Sequence, residues 1–520
     1  MIVAIRLGCE SKRGPGAPIR QRSDHQGPVE NTDFAGRMLT SAAPLSARLK
    51  RLSMSFETQN SPRKSLAPAR RPDLAAQHAR ALLRACDHPQ KITDRERPAS
   101  AALEWARSGA MELTGPADEA PRFAAGALAS AACGAGMVLS VLAPRSALAR
   151  LDAPALLAER AAIADLHRQG EVSAGGSARL FATRTDFVAV NLPRDEDWRL
   201  TPAWLEATNS SFSATRDWKT LAQLIAVKDA TTLVERGRLM GLAIAPARRT
   251  IPHDRPLFTL RHASEKSPSP TPRPIRLLDL TSLWAGPLAT SLLAMAGIQV
   301  LKIESPTRPD GARRGPDAFF QLLNGNKRGC ALDLHQPADR AVFERLLEGA
   351  DIVVESARAR ALGQLGFDAA SWVTGRRGRL WASITGYGRS REWIAFGDDA
   401  AVAAGLAWPP EPGESRPFFC GDAIADPLAG LTLAALLLAH SQCGRGGLLD
   451  LSLTDCAAHA ASLPHEGLEL PLEPGPHGWC VVEAGQTSAI EKPRARISEG
   501  RAPPLAAPDE TLLANWTAPC

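Results

Sequence analysis

Apolar and polar positions follow different rhythms on the two sides of a Ser/Pro-rich stretch, SEKSPSPTPRP at 264–274. Beyond it, IRLLDLT (275–281) is a short apolar run, followed by a turn at Ala285-Gly286-Pro287. LATSLLAMAG then reads as a helix closed by a glycine, and QVLKIES as a second strand, which together make a β-α-β unit. Further strands are predicted at GCALDL (329–334), ADIVVES (350–356) and RLWASITGYG (379–388), with helical segments between them. Strands alternating with helices predict an α/β fold, a Rossmann-like and mostly parallel sheet with helices on both faces. Such sheets bind ligands outside the carboxyl ends of their strands. Attention therefore falls on the loops Leu283–Pro287, Glu304–Arg308, Ser356–Arg360 and Gly386–Asp399.

Before the Ser/Pro stretch, residues 72–86 carry Leu and Ala at helical spacing, and 123–143 form a long apolar helix loosened by Gly126, Gly134 and Gly136. RLFATRTDFVAVNL (179–192) alternates as strand, turn, strand, and 231–244 reads as helix into strand. The expected organisation has six parts. A disordered or leader-like head spans 1–71, with Met54 a candidate first residue. A helical segment covers 72–150, a smaller mixed α/β domain 151–263 and a linker 264–274. The large domain spans 275–463, and a tail at 464–520 packs back on it.

Charge sharpens this division. Residues 1–71 hold 13 Lys+Arg against 5 Asp+Glu, a net +8, while the whole chain is +6, so the other 449 residues sum to −2. The basic excess sits in the head, and a nucleic-acid-binding body is not expected. No run of eighteen or more apolar residues is free of charge, so no membrane span is expected. The nine cysteines have no regular spacing and no CxxC pair, which fits free thiols, a reducing cytoplasmic setting and no structural zinc or other metal. GxGxxG after the first strand, GxxxxGK[ST], HExxH and GxSxG are all absent, and with them the nucleotide-binding and hydrolase readings those motifs carry.

Six segments occur in a fixed order: LDLTSLWAGPLATSLLAMAGIQVLKIES, NGNKRGCALDL, ADIVVESARARALGQLGF, ASITGYG, GDAIADPLAG and GRGGLLDLSLTDCAA. Together they resemble the family III CoA-transferases over roughly 275–460, the group that includes formyl-CoA and carnitine CoA-transferases and α-methylacyl-CoA racemase. The resemblance implies a Rossmann-like large domain, a smaller mixed domain, interlocked dimers and an aspartate nucleophile four residues before a helix glycine. Here that aspartate is Asp426, four before Gly430. Segments 183–198 and 217–247 resemble the family's small domain, out of their usual order. Residues 105–150 and 401–460 resemble two copies of one segment, with Arg122, four before Gly126, set opposite Asp426.

The implied chemistry is acyl transfer between CoA and carboxylic acids with no tightly bound cofactor, acyl-CoA and an acid acceptor being the partners and homodimer formation open. Asp426 attacks the thioester and forms a mixed anhydride, and CoA thiolate then releases the acid and leaves an aspartyl-CoA thioester. Resemblance points to Trp284, Ala285, Ser305, Asp333, Leu334, His335, Ser356, Ala357, Arg358 and Asp399 as CoA contacts. The family more often has Asn-Phe where this chain has Ser356-Ala357. Lys302, Arg308, Lys327, Arg328, Arg358 and Arg360 lie near the predicted loops, where they would meet the CoA phosphates. VSAGGSARL (172–180) is a candidate lid or backbone-donor loop, and equally a surface turn. Asp426 before Pro427 also reads as a helix N-cap. A racemase would place a histidine before Asp399, but the chain has Gly397-Asp398-Asp399. A non-catalytic CoA-binding homologue is the third reading.

Overall fold

The computed structural model describes residues 71–207, 216–252, 255–264, 274–358, 360–408, 416–463, 470–498 and 500–517. The head expected at 1–71 lies outside them apart from Arg71, as does most of the linker expected at 264–274.

Thirteen strands are found among these residues. They are β1 (Ala178–Ala182), β2 (Phe187–Asn191), β3 (Ala243–Pro246), β4 (Phe258–Arg261), β5 (Arg276–Leu280), β6 (Gln299–Glu304), β7 (Arg328–Ala331), β8 (Ile352–Glu355), β9 (Leu380–Thr385), β10 (Gly447–Ser452), β11 (Leu472–Gly475), β12 (Gly478–Glu483) and β13 (Gln486–Ala489). Seven of them form one sheet in the order β4-β10-β9-β8-β5-β6-β7. All its pairings are parallel except β4 with β10. The central strands are apolar runs buried along their length, as a sheet covered on both faces requires. Strand order reverses at β5, which has β6 on one side and β8 on the other. In open α/β sheets such a reversal is where ligands bind, between the loops that leave the two strands, here β5 and β8.

β4 belongs by sequence to the stretch 151–263, yet it pairs with β10 from Leu448↔Arg261 to Leu451↔Phe258. The strands β1-β2-β3 make a separate antiparallel sheet. One of its faces is filled by Trp198, Trp204, Leu221, Ile225 and Leu233 from the helices around it. The tail adds the antiparallel sheet β11-β12-β13 and the helix Glu510–Thr517. Trp516 is buried, and its indole N–H donates to the Leu346 carbonyl at 2.9 Å.

The helix Ala425–Gln442 is apolar all round and almost wholly buried, as a central helix must be. It packs on the helix Ala285–Met295, where a Cβ on Gly430 would come within 2.7 Å of the Ala285 carbonyl oxygen and 3.0 Å of Leu288. Across the same core, the helix Leu128–Leu142 packs on the helix Leu74–Ala85. A Cβ on Gly134 would come within 2.6 Å of the Ala75 carbonyl oxygen and 3.0 Å of His78. Both contacts fall on residues i and i+3 of the partner helix.

The two partner helices also end alike. N–H groups of Asp87 and His88 reach the Arg84 and Leu83 carbonyls, and those of Gly297 and Ile298 reach the Ala294 and Leu293 carbonyls. Asp87 (φ 47) and Gly297 (φ 94) are both left-handed, as this helix end demands. The shared geometry seats Gly134, not Gly126, where Gly430 sits. Four residues before that glycine stands Ser130, while Arg122 lies outside the helix and pairs with Glu119 at 2.6 Å. The helix starts at Leu128 rather than 123, and a Cβ at Gly126 would overlap the backbone of Ala461.

Candidate active site

Asp426 lies in the first turn of the helix Ala425–Gln442 and is half-buried. Its carboxylate rests against Gly397, leaving no room for a side chain there, and it accepts a hydrogen bond from the Gly397 N–H. The preceding Ala423 is held at φ 44, a costly conformation for a residue with a Cβ. The Ala423 N–H donates to Asp398 Oδ1 at 2.9 Å, fixing this turn on the helix Gly397–Ala403.

Three more carboxylates gather around it. Asp398 and Asp399 are buried on the helix Gly397–Ala403, and Asp422 is buried in the approach to Asp426. Arg160, from the helix Glu159–Ala164, meets Asp422 with both Nε (2.8 Å) and Nη2. Burial pushes Asp426 up to about 7, Asp398 and Asp422 add to the rise, and Arg160 opposes it. Asp398 goes up to about 6 through burial and the Asp422 charge, against the pull of Arg160. Asp399 is pushed up to about 7, again mainly by burial. Burial, reinforced by the neighbouring acids and only partly offset by one guanidinium, raises these carboxyl groups toward neutrality.

The glycine-bearing stretch 172–180 faces this cluster. Ser173 is buried and its hydroxyl hydrogen-bonds Asp398. A Cβ on Gly175 would come within 3.0 Å of Arg160 Nη2 and 4.0 Å of Asp422 Oδ1. Gly176, at φ +77, turns away into open space.

The proposed CoA contacts line the carboxyl edge of the sheet. Trp284 precedes the helix Ala285–Met295, buried edge-on against Phe319, with the Arg160 guanidinium 5.3 Å from its ring centre. Its indole N–H is buried with no hydrogen-bond partner among the described residues. Ala285 is buried, its carbonyl under Gly430. Ser356 is exposed at the end of β8, and its hydroxyl accepts the Ser282 N–H (3.2 Å) from the loop after β5. Ala357 beside it is half-buried, and Arg358 is exposed. Leu283, next to Trp284, is exposed at φ 71 and pinned by its N–H to Asp310 (2.9 Å). Ser305 is half-buried after β6 and hydrogen-bonds Thr307. Asp333 shapes the turn after the edge strand β7 by accepting the N–H of exposed His335 (3.1 Å), with Leu334 half-buried between them.

Three expectations are corrected. Lys302 is enclosed and bonded to Asp310 and the Thr281 carbonyl, each at 2.9 Å, so it does not reach a phosphate. Lys327 is likewise enclosed, donating to Asp279, the Pro287 carbonyl and Asn324 at 2.9 Å each. Both lysines neutralise Asp279 inside the sheet, which the charge pattern of the chain does not reveal. Asp399, expected at a ligand, is fully buried and bonded to Asn191 and the Phe396 N–H, each at 2.9 Å. In the other direction, burial lowers the Arg358 pKa, and the charges of Arg194, Arg360 and Arg308 near it add to that effect. Arg160 went unnoticed in the sequence because it lies outside every segment that carries the resemblance, and Asn191 and Arg194 because the resemblance of 183–198 points to no particular site residue.

Residues 273–466 match the family described as CoA-transferase family III. Over these residues the chain is similar to that family. The family III segment is 29% identical over 202 residues to a succinate–glutarate CoA-transferase of Agrobacterium fabrum, covering 35% of this chain and 50% of that one. It is 30% identical over 195 residues to a formyl-CoA:oxalate CoA-transferase of Escherichia coli, covering 35% and 47%. The chain thus spans about half the length of the curated relatives it matches. A CAIB/BAIF family protein from Brucella suis overlays 42% of this chain and 67% of its own at TM-score 0.37 and 22% identity. No helix among the described residues is long and apolar enough to cross a membrane.

Proposed function

We propose that the chain is an acyl-CoA transferase that moves CoA between carboxylic acids, with Asp426 as the nucleophile. The observation that carries this reading is a half-buried carboxylate, oriented by the Gly397 N–H, beside a guanidinium and a glycine-bearing loop. Asp426 attacks the thioester carbonyl, the C–S bond breaks, and CoA thiolate leaves a mixed anhydride on the enzyme. Thiolate then attacks the aspartyl carbonyl, and the first acid departs as carboxylate. An incoming carboxylate attacks the aspartyl-CoA carbonyl and expels thiolate. Thiolate takes the new acyl group, and Asp426 is regenerated.

In this reading CoA lies at the β5/β8 reversal, with Trp284, Ser356 and Ala357 along its arm. Arg194, Arg308, Arg358 and Arg360 meet its phosphates. Residues 72–150 are a degenerate copy of the segment that carries Asp426, with Ser130 in the nucleophile's place, so one chain holds one site. The matching glycine seats and helix ends support that assignment.

Incubation with an acyl-CoA and hydroxylamine, followed by peptide mass spectrometry, tests the mechanism. A hydroxamate on Asp426 and inactivation are expected. Intact activity, or exchange of the acyl α-proton with deuterated water and no hydroxamate, would overturn it, the second outcome marking a racemase.

A further inference from the structure

We propose that Arg160 binds the carboxylate of the acid substrate beside Asp426. The inference rests on the transferase reading and names the group that would receive its second substrate. Arg160 lies outside the family III segment, on the helix Glu159–Ala164. Its Nε and Nη2 are committed to Asp422, which is fully buried, so the guanidinium is fixed in plane and direction. Its third nitrogen, Nη1, has no hydrogen-bond partner among the described residues, although the side chain is 29% exposed. Above it lies the Trp284 ring, and Gly175 lies against the Nη2 edge, where a Cβ would come within 3.0 Å and disturb the pairing with Asp422.

The electrostatics favour an anion there at one stage of the cycle. With Asp426 ionised, a second carboxylate meets a cluster of acids with Arg160 as the cation that acts on Asp398, Asp422 and Asp426 together. Once Asp426 is esterified to CoA its charge is gone, and one of the three acids that act on Arg160 is removed, leaving Asp422 in direct contact and Asp398 through space. In this proposal a carboxylate held on the Nη1 edge is the one that attacks the aspartyl carbonyl. One of its oxygens forms the new C–O bond and thiolate takes the C–S electron pair. A guanidinium suits this task because its several N–H groups hold Asp422 and a second carboxylate at once, which an ammonium cannot do with the same geometry.

R160K and R160Q test the proposal in the full chain. R160K keeps a cation beside Asp422 and guards against a variant that does not fold. Two quantities are read: hydroxylamine trapping at Asp426 with acyl-CoA alone, and the KM for the acid acceptor in the complete exchange. The expected result for R160K is an acid KM raised about 10- to 100-fold, with trapping within a few-fold of wild type. R160Q should raise the acid KM further. An unchanged acid KM in R160K overturns the assignment, and so does a loss of trapping as large as the loss of exchange. Failure of the transferase reading looks different, since wild-type protein would then show no trapping at Asp426.

Discussion

In the helix Leu128–Leu142, Gly134 rests on the Ala75 carbonyl. In the helix Ala425–Gln442, Gly430 rests on the Ala285 carbonyl. The backbones are built alike, but the polar groups four residues before these glycines are treated differently. Ser130 is buried and bonded to Glu104, Glu104 pairs with Arg95 at 2.7 Å, and Arg95 pairs with Asp73 at 2.7 Å. Burial would raise Asp73, but its bonds to Arg95 prevail and hold it below the usual carboxylate range. Around Asp426 burial prevails instead, and the acids rise to about 6 and 7. Close helix packing is thus compatible with either balance. What separates the two regions is direct bonding: Arg95 bonds Asp73 through its side chain and its backbone N–H, whereas Arg160 bonds Asp422 and acts on Asp426 and Asp398 only through space. A cavity of about 630 Å³ lies on the Ser130 side, lined by Arg95, Glu104, Cys133 and Met137 among others, and Asp426 does not border it.

Substitutions should separate the two regions, and D426N has the largest expected effect. CoA exchange should fall at least about 1,000-fold, since a nucleophile has no substitute. S130A should leave exchange within about two-fold, because Ser130 serves packing. Coupled assays on both variants check this, and equal losses would erase the distinction.

G134A and G430A come next. Each pushes a Cβ against a carbonyl oxygen, at a cost of about 1–3 kcal/mol from overpacking, offset by about 1 kcal/mol of helix propensity. Thermal melts should show similar destabilisation, but only G430A should also lower exchange, by about 10- to 100-fold, through displacement of Asp426.

The pH responses should run in opposite directions. Exchange should rise with pH through about 7 as Asp426 ionises. Asp398, Asp399 and Asp426 have raised folded pKa values, so they stabilise the fold most below 3.8, and that contribution is lost as pH rises through about 6 to 7. Asp73 is depressed, so its contribution is present above 3.8 and lost as pH falls through its folded value. D73A, which also removes a helix cap, should cost about 1–2 kcal/mol at pH 7 and less at pH 3. Melting curves across that range would show whether the two regions part in this way.

The smallest effects belong to the helix ends. Asp87 occupies a left-handed position that Gly297 fills in the other pair. G297D should cost about 1 kcal/mol and D87G should gain a few tenths, within the loss of the Arg445 contact to Asp87. Chemical denaturation resolves changes of that size.

Much of the sheet could be read along the chain. The strands at 276–280, 299–304, 352–355 and 380–385 coincide with apolar runs bounded by turns, because burial on both faces leaves a local imprint. β4 left little imprint, since an edge strand gains its place from its neighbour and not from its own pattern. Asp426 stood out through the spacing to Gly430 and the resemblance around it. The copy of that spacing at Gly126 misled, because a run of small residues offers several equivalent registers and only the packing partner selects one.

The chain by itself determined the α/β alternation, the carboxyl-edge loops and the aspartate at the head of a buried helix. The first two follow from short-range periodicity and composition, which act within a few residues, and the aspartate from the resemblance of the segment around it. Tertiary structure alone decided that Arg160 meets Asp422 from 262 positions away, that Lys302 and Lys327 turn inward, and that Asn191 reaches Asp399. Charges find partners by distance in space, and the cost of burying one is set by whatever the whole fold brings beside it.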